Sequence, residues 1–519
     1  MPTPIAGLVR PKRAPQSLRS LGDAIGDIGA VSDVPEVLVS GVSLDSRRIA
    51  EGDLYAALPG EHHHGAAFIA QAAASGAVAV LTDPDGAALA GDSGIPTLVV
   101  SDPRAVLGRI SASVYGDPAK DLAIVGITGT DGKTTTAMLL EAALRATGVK
   151  TGLIGTVATK IIDDVLPAVR TTPEAPDLHA LLAVMRERGV SVVAMEVSSH
   201  ALALGRVDGV DFSLAVFTNL GHDHLDFHGD LDSYFAAKAK LFEPTLTRAG
   251  LVCVDDEWGR DLAGAATIPV ATYSVPGEGA LAQTAEATWR VVDLRPDAAG
   301  WAFDVVGPAV RVACGTRLPG LFNVRNAVAA VASGVILGHD PGAVAQGVRD
   351  CPGVPGRMES VKTSLPITVL VDYAHTPEAV DRALRVAKAV ATRGNGSVLA
   401  AVGCGGDRDP AKRATIGATA AELAEIVAIT DDNPRSEDPA VIRAAVMAGA
   451  LSVDLPQRAQ IAEIGDRRAA LEWLVEYAEE GDVVIALGKG HETGQDVDGV
   501  VSPFDDRLIF ATALRKRES

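Results

Sequence analysis

Short apolar runs alternate along this chain with longer stretches in which apolar positions recur at helical spacing. Val78 to Leu81, Leu122 to Ile127, Val192 to Met195, Leu214 to Phe217, Thr368 to Val371, Val398 to Val402, Ile426 to Ile429 and Val483 to Ala486 are runs of this kind. Each is too short for a helix and apolar at successive positions, so it predicts a strand buried on both faces. Ala-rich segments lie between them, such as the predicted helix around Phe68 to Ala77. Strands alternating with helices imply parallel sheets covered on both sides, and therefore an α/β fold.

Breaks in this pattern divide the chain. Residues 1–20, rich in proline and basic groups, predict a disordered tail. A small α/β domain is expected over 21–120, a central domain over 121–353 and a Rossmann-like third domain over 354–519, after Pro352 and Pro355. A length of 519 residues suits three or so domains. An apolar share of 47% with 22% charged residues is enough to build their cores.

The most informative stretch follows the strand at Leu122: Gly129-Thr130-Asp131-Gly132-Lys133-Thr134-Thr135-Thr136, opening a helix that ends near Gly148. Strand, glycine loop, then a helix beginning Lys-Thr is the order a phosphate cradle requires. Glycines let backbone N–H groups close on phosphate oxygens, and the helix N-terminus adds partial positive charge. Lys133 would reach the terminal phosphates, and the Thr134 hydroxyl would help hold Mg²⁺. Ile127 stands where the first glycine of the strict spacing falls, with Gly126 and Gly129 flanking it. The chain is expected to bind a nucleoside triphosphate.

A net charge of −20 argues against nucleic acid or an anionic membrane as a non-specific partner, since both need a positive field. Cys253, Cys314, Cys351 and Cys404 lie far apart with no CxxC pair, a pattern of neither disulfides nor zinc, which suits a reducing cytoplasm. No apolar run has the length of a membrane span, and the basic N-terminus lacks the apolar core of a signal peptide.

Other strand ends carry polar groups. Val192 to Met195 leads into Glu196, then Ser198, Ser199 and His200. A carboxylate at the carboxyl edge of a strand beside a phosphate loop is placed to hold the nucleotide's Mg²⁺. Leu214 to Phe217 leads into Thr218-Asn-Leu-Gly-His-Asp-His-Leu-Asp-Phe-His-Gly229, which should end on the same rim, and the helix after it carries Lys238 and Lys240. Taken alone, such lysines read as a solvated helix face, and His62 to His64 as a surface loop. In the third domain, Gly403-Cys-Gly-Gly-Asp-Arg-Asp409, Asp432-Asn-Pro-Arg435 and Gly488-Lys-Gly-His-Glu492 each follow a strand. Three such ends argue for a polar ligand at the carboxyl edge of that sheet.

Together these stretches resemble the Mur ligase family, which uses ATP to join amino acids onto the peptidoglycan precursor. The resemblance runs from Asp45-Ser-Arg47 to Gly488-Lys-Gly-His-Glu492. It includes Met195-Glu-Val-Ser-Ser-His200, Asp223-His-Leu-Asp-Phe-His228, Phe322-Asn-Val-Arg-Asn326, Pro355-Gly-Arg-Met-Glu359 and Asp372-Tyr-Ala-His-Thr-Pro377. It implies a uridine-binding N-terminal domain, a central P-loop ATPase domain and a C-terminal amino-acid-binding domain; nothing in the sequence suggests an exposed apolar interface, so a monomer is expected. By the same resemblance, Gly129, Thr130, Asp131, Gly132, Lys133, Thr134 and Thr135 hold ATP, while Asn326, Arg357 and Asp372 contact its base, phosphates and ribose. Ser46 sits at the uridine end of the nucleotide substrate, and Thr171, Thr172, Ser198 and Arg206 hold its muramoyl-peptide portion. Glu196 and His224 are Mg²⁺ ligands, and Lys238 is carbamylated to N6-carboxylysine. Arg408, Asp432, Asn433, Pro434, Arg435, Gly488 and Glu492 bind the incoming amino acid. The run Asp432 to Arg435 is similar to that of the members adding meso-diaminopimelate to UDP-N-acetylmuramoyl-L-alanyl-D-glutamate. Asp131 departs from the commoner asparagine, and its extra charge is expected to point outward or to be offset by metal.

Physical chemistry agrees with these roles. A carboxylate is unreactive toward an amine until it has a better leaving group, which transfer of the ATP γ-phosphate supplies. Two anions must approach each other, so two Mg²⁺ ions are expected. A carbamate turns Lys238 into a carboxylate on a long arm, a metal ligand that an ammonium is not. A sister ligase adding lysine, or glutamate to folate, is the nearest rival, and Asp432 to Arg435 with Thr171-Thr172 speak against both. A P-loop regulatory protein would have no use for three polar strand ends in its last domain.

Overall fold

The computed structural model describes residues 10–25, 36–60, 62–275, 277, 286–297 and 300–519. The strand that leads into the glycine loop, Ala123–Thr128, lies inside an eleven-stranded sheet, between Val192–Glu196 and Leu214–Phe217 and parallel to both. Register aligns their ends: Glu196 pairs with Ile127 and Phe217 with Thr128. The glycine loop, Glu196 and the segment after Phe217 therefore leave the sheet on one rim. Val125 and Ile127 face one apolar layer, which holds the helices Lys133–Ala146 and Leu321–Ile336. Ile124, Val193 and Phe217 face the other, with the helix Ala175–Glu187.

The parallel arrangement expected from the alternation holds for the middle of this sheet and not for its edges. Trp289–Asp297, Gly300–Gly307 and Val310–Thr316 form an antiparallel ladder on one side, and Thr159–Ile161 and Asp164–Leu166 a small one on the other. Their connections are too short for a crossover helix, so the strands return antiparallel.

The C-terminal sheet has the order Glu359–Ser360, Thr368–Asp372, Val483–Leu487, Val398–Val402, Ile426–Ile429 and Gln460–Glu463, parallel apart from the first. Both faces are covered, one by the layer around Leu384 and Ile416, the other by that around Leu471 and Phe510. A four-stranded parallel sheet, Gly41–Ser43, Asp53–Ala56, Ala77–Thr82 and Thr97–Val99, forms the N-terminal unit. The helix expected around Phe68 begins as a 3₁₀ turn at Gly65–Phe68 and runs as α-helix over Ile69–Ala74. No helix among the described residues is long and apolar enough to cross a membrane.

The tail expected to be disordered over 1–20 is ordered from Arg10 on. Gln16–Ser17 pairs with Leu38–Val39, the helix Leu18–Ile25 buries Leu18 and Leu21 completely, and Arg10 forks onto the buried Asp53 at 2.7 and 2.6 Å. Basic and proline-rich composition concealed two apolar anchors and the cation that a buried carboxylate needs. Residues 1–9 lie outside the described part.

One buried histidine links this packing to pH. His179, on the helix Ala175–Glu187, is fully buried with Nε2–H donating to the Asp208 carbonyl at 2.9 Å, while Nδ1 has no partner. Burial holds its pKa down at about 4, below the ordinary 6.5. The unfolded chain then binds the proton first as pH falls, so stability drops from about pH 6.5 towards pH 4. Urea unfolding of His179→Gln should show a shallower loss of stability than the parent across that window. An unchanged slope would contradict this assignment.

Candidate functional site

The loop before Lys133 is shaped by two glycines and stapled from the neighbouring strand. Gly129 and Gly132 have φ of +147° and +84°, and a Cβ on them would lie 1.9 Å from Thr218 Oγ1 and 2.5 Å from Asn326 Oδ1. No other residue fits either place. Asn219 accepts Thr130 N–H at 3.0 Å and Asp131 N–H at 2.9 Å, and Thr218 donates to the Asp131 carbonyl at 2.6 Å. The value of Thr218 and Asn219 lies in this register and not in their chemistry, so nothing in the run Thr218 to Gly229 singles them out by residue type.

Two lysines converge on the carbonyl of Gly129: Lys133 Nζ at 2.7 Å and Lys238 Nζ at 2.9 Å. Lys133 also reaches the Thr130 carbonyl at 2.8 Å. Burial lowers both pKa values. For Lys133 the carboxylates of Glu196, Asp131 and Asp223 work against it, whereas Lys238 is also pushed down by Lys133. Lys238 lies 4.2 Å over the Tyr234 ring and is 1% exposed, while Lys240 is exposed. The solvated-face reading thus holds for Lys240 and fails for Lys238, because the short helix Leu231–Ala239 turns that residue under the loop.

Glu196 is buried at the centre of an oxygen cluster. Its Oε2 accepts from Thr134 Oγ1 at 2.9 Å and Thr156 Oγ1 at 3.0 Å, and its Oε1 from Thr156 N–H at 2.8 Å. Thr156 Oγ1 and Thr171 Oγ1 are 2.9 Å apart. Thr172 donates to the Glu196 carbonyl at 2.9 Å and accepts Ser198 N–H at 3.0 Å, and Ser198 caps the helix that follows it. Thr156 was missed, although it follows the strand Thr151–Ile154 onto the same rim. His224 adopts φ of +55°, edge-on to His200 at 4.7 Å, with its pKa lowered by burial to about 4. Among the described residues no three His, Cys, Asp or Glu side chains gather as a metal cage. The Thr134–Glu196 oxygens suit a hard cation.

Ser46 opens a separate cleft of about 880 Å³, also lined by Arg47, Arg48, Tyr55, Arg170 and Glu174. Glu174 gathers Arg170 and Arg206, each at 2.9 Å, and Arg104 at 3.4 Å. His64 is bonded to Ala66 N–H and Asp83, and His62 and His63 are exposed, as a surface loop requires.

The C-terminal sheet turns its carboxyl edge to the same rim. Arg357 stacks on Tyr373 at 4.4 Å and reaches Thr134 Oγ1 at 3.4 Å. Asp372 is occupied by Met358 N–H at 2.6 Å and Ala374 N–H at 2.8 Å, which ties the linker to the strand end. Asn326 bonds Thr136 at 3.3 Å and Asn323 at 3.1 Å, one turn from Gly132. Asp432 and Asn433 are buried beside Lys489, which donates to Asn433 Oδ1 at 2.8 Å and Glu492 Oε2 at 3.2 Å. Arg435, at φ +52°, follows Pro434 and bonds the Gly406 carbonyl at 2.5 Å, while Arg408 is exposed. Gly488 leaves the neighbouring strand end, 2.4 Å from Asp432 Oδ2 at its Cβ position.

Asp131, expected to point outward or to be offset by metal, instead pairs with Arg382 on the helix Pro377–Arg393. No sequence signal marks Arg382, because the contact exists only once the two sheets face each other. Arg382→Ala should leave the Asp131 carboxylate unpaired beside the phosphate loop and weaken nucleotide binding severalfold. Asp131→Asn in that background should recover most of the loss, as read by titration with a fluorescent nucleotide. Equal binding by Arg382→Ala and the parent would contradict this.

Comparison with known proteins matches this architecture along most of the chain. The Mur ligase family catalytic domain matches residues 38–115, the Mur ligase middle domain 127–334, and the Mur ligase glutamate ligase domain 356–490. The UDP-N-acetylmuramoyl-L-alanyl-D-glutamate–2,6-diaminopimelate ligase of Streptomyces avermitilis is 48% identical over 509 residues, 98% of this chain and 99% of its own. The enzyme of that name from Corynebacterium glutamicum is 44% identical over 494 residues, 93% of each chain. A solved structure of a ligase with this name superposes with a TM-score of 0.67 at 31% identity, covering 97% of this chain and all of that one. With all three domains matched in order and relatives this similar over their full length, the chain belongs to the Mur ligase family.

Proposed function

We propose that this chain is the ATP-dependent ligase that adds meso-diaminopimelate to the D-glutamate γ-carboxylate of UDP-N-acetylmuramoyl-L-alanyl-D-glutamate, acting as a cytoplasmic monomer in peptidoglycan precursor synthesis. One observation carries the reading: a polar cluster of Asn433, Arg435 and Glu492 stands at the carboxyl edge of the C-terminal sheet, and Arg357, in the linker that enters that sheet, reaches the P-loop helix. A nucleotide-binding regulator needs no such pocket. The names of relatives 44–48% identical support the same substrates. The division of labour follows three domains, 21–120 for the uridine nucleotide, 121–353 for ATP and 354–519 for the amino acid.

The γ-carboxylate attacks the γ-phosphorus of ATP, ADP leaves, and an acyl phosphate forms. The amine of the amino acid then attacks the acyl carbon, and phosphate departs with the C–O bond pair. Lys133 neutralises charge on the transferred group, and the amides of Gly129 to Thr135 bind the phosphates. Thr171, Thr172, Ser198 and Arg206 hold the peptide end of the nucleotide, Ser46 its uridine end. Mg²⁺, when bound, would lower the repulsion between the two anions; the Thr134 and Glu196 oxygens would hold it, with His224 and a carbamylated Lys238 as the further ligands that the resemblance implies. The buried amine of Lys238 favours the neutral form, the one that reacts with CO₂. Lys238→Ala should lose activity and regain part of it with short carboxylic acids, which would supply the missing carboxylate. Full activity without rescue, or none with it, would count against carbamylation.

Selectivity follows from Arg435. Its planar guanidinium suits the distal carboxylate of meso-diaminopimelate, and L-lysine would face it with an ammonium instead. A charge-assisted hydrogen bond contributes about 1.5–3 kcal/mol, roughly ten- to over a hundredfold in preference. Phosphate release from ATP, with the uridine nucleotide present, should require meso-diaminopimelate and fail with L-lysine. Arg435→Ala should narrow that preference by a similar factor. Release with L-lysine would keep the ligase and overturn the selectivity argument, and release with neither would overturn the function.

A further inference from the structure

Lys489 is fully buried, yet it ends in a cation and lies between two glycines in a loop that follows the strand Val483–Leu487. A buried ammonium is tolerated only where its donors are taken up. Here they meet Asn433 Oδ1 at 2.8 Å and Glu492 Oε2 at 3.2 Å, with Asp432 Oδ1 at 3.9 Å. These acceptors all belong to two of the three strand ends assigned to the amino acid.

The hydrogen bonds determine which way each partner faces. Asn433 Oδ1 takes both Lys489 and the Asp496 N–H at 3.1 Å, so its amide nitrogen is turned to Glu492, where it donates to Oε2 at 2.8 Å. Glu492 is thereby held by one oxygen. Among the described residues no hydrogen bond reaches its Oε1, and the side chain is 30% exposed. A carboxylate pinned on one side and open on the other is oriented to receive an ammonium. Without Lys489, Asn433 could flip and Glu492 would lose both its direction and its nearest cation.

We propose that Lys489 is a positioning residue for the amino-acid substrate: it does not touch the substrate, but sets Asn433 and Glu492 so that one carboxylate oxygen presents to the ammonium beside the distal carboxylate of meso-diaminopimelate. This rests on the assignment of Asn433 and Glu492 to the amino-acid pocket.

The test measures KM separately for meso-diaminopimelate, ATP and the uridine nucleotide by phosphate release from the full-length enzyme. Lys489→Met should raise KM for the amino acid tenfold or more, with the other two KM values within about twofold. Lys489→Gln keeps two donors and should recover part of the loss, a rescue that a packing role would not show. In an Asn433→Ala background, Lys489→Met should add less than it does alone, since only the direct bond to Glu492 is then left to lose. If Asn433→Ala and Glu492→Gln leave the amino-acid KM unchanged, the pocket assignment itself fails. If those two raise it while Lys489→Met does not, or raises all three KM values in parallel, the positioning role is overturned. Insolubility of both Lys489 variants beside soluble Asn433→Ala and Glu492→Gln would also overturn it, assigning Lys489 to the core.

Discussion

The carbonyl oxygen of Gly129 takes hydrogen bonds from two buried lysines, Lys133 and Lys238, and much of the site follows from that crowding. Two ammonium groups on one acceptor in a dry place repel each other, and desolvation penalises both. Burial lowers both; Glu196, Asp131 and Asp223 support the charge on Lys133 against Arg357, whereas Lys238 has only Asp223 and Asp131 against Lys133 and is driven further down. The pair thus differs in how strongly its surroundings disfavour the charge, Lys238 more than Lys133. Environment makes this division, since the two side chains are chemically identical.

That crowding is possible because the loop cannot relax away from it. Thr218 and Asn219 hold the loop backbone at Thr130 and Asp131, and parallel register fixes Glu196 and Phe217 level with its base. Glu196 in turn spends its oxygens on Thr134 and Thr156, so one carboxylate joins the phosphate loop to the segment that leads to Thr171. Similar economy recurs in the C-terminal sheet. Arg467 and Asp506, both fully buried, form a forked pair at 2.9 and 2.7 Å, and Arg467 also supports the Leu487 carbonyl just before Gly488. Buried ions here stiffen strand ends more than they stabilise cores, as the desolvation cost of such pairs would suggest.

Polar contacts between the two sheets' units include Arg357 with Thr134, Arg382 with Asp131, and His222 with Glu378 at 3.7 Å. Partly exposed pairs of this kind contribute little each. The acidic side chain in the phosphate loop is accommodated by this interface, through a cation from the other domain.

The sequence by itself determined the α/β class, the order of the three units and the residue types of the site. Runs apolar on both faces, glycine loops after strands and polar strand ends are local features, dictated by backbone sterics and burial. Tertiary structure alone decided which lysine is buried, which cation meets Asp131, that Lys489 lies beneath Asn433 and Glu492, and that residues from Arg10 on pack against the first sheet. It also decided that the ladder over 289–316 runs antiparallel. Desolvation and pairing depend on neighbours distant in sequence, and the same lysine or arginine is a solvated surface group or a structural ion according to what the fold places around it.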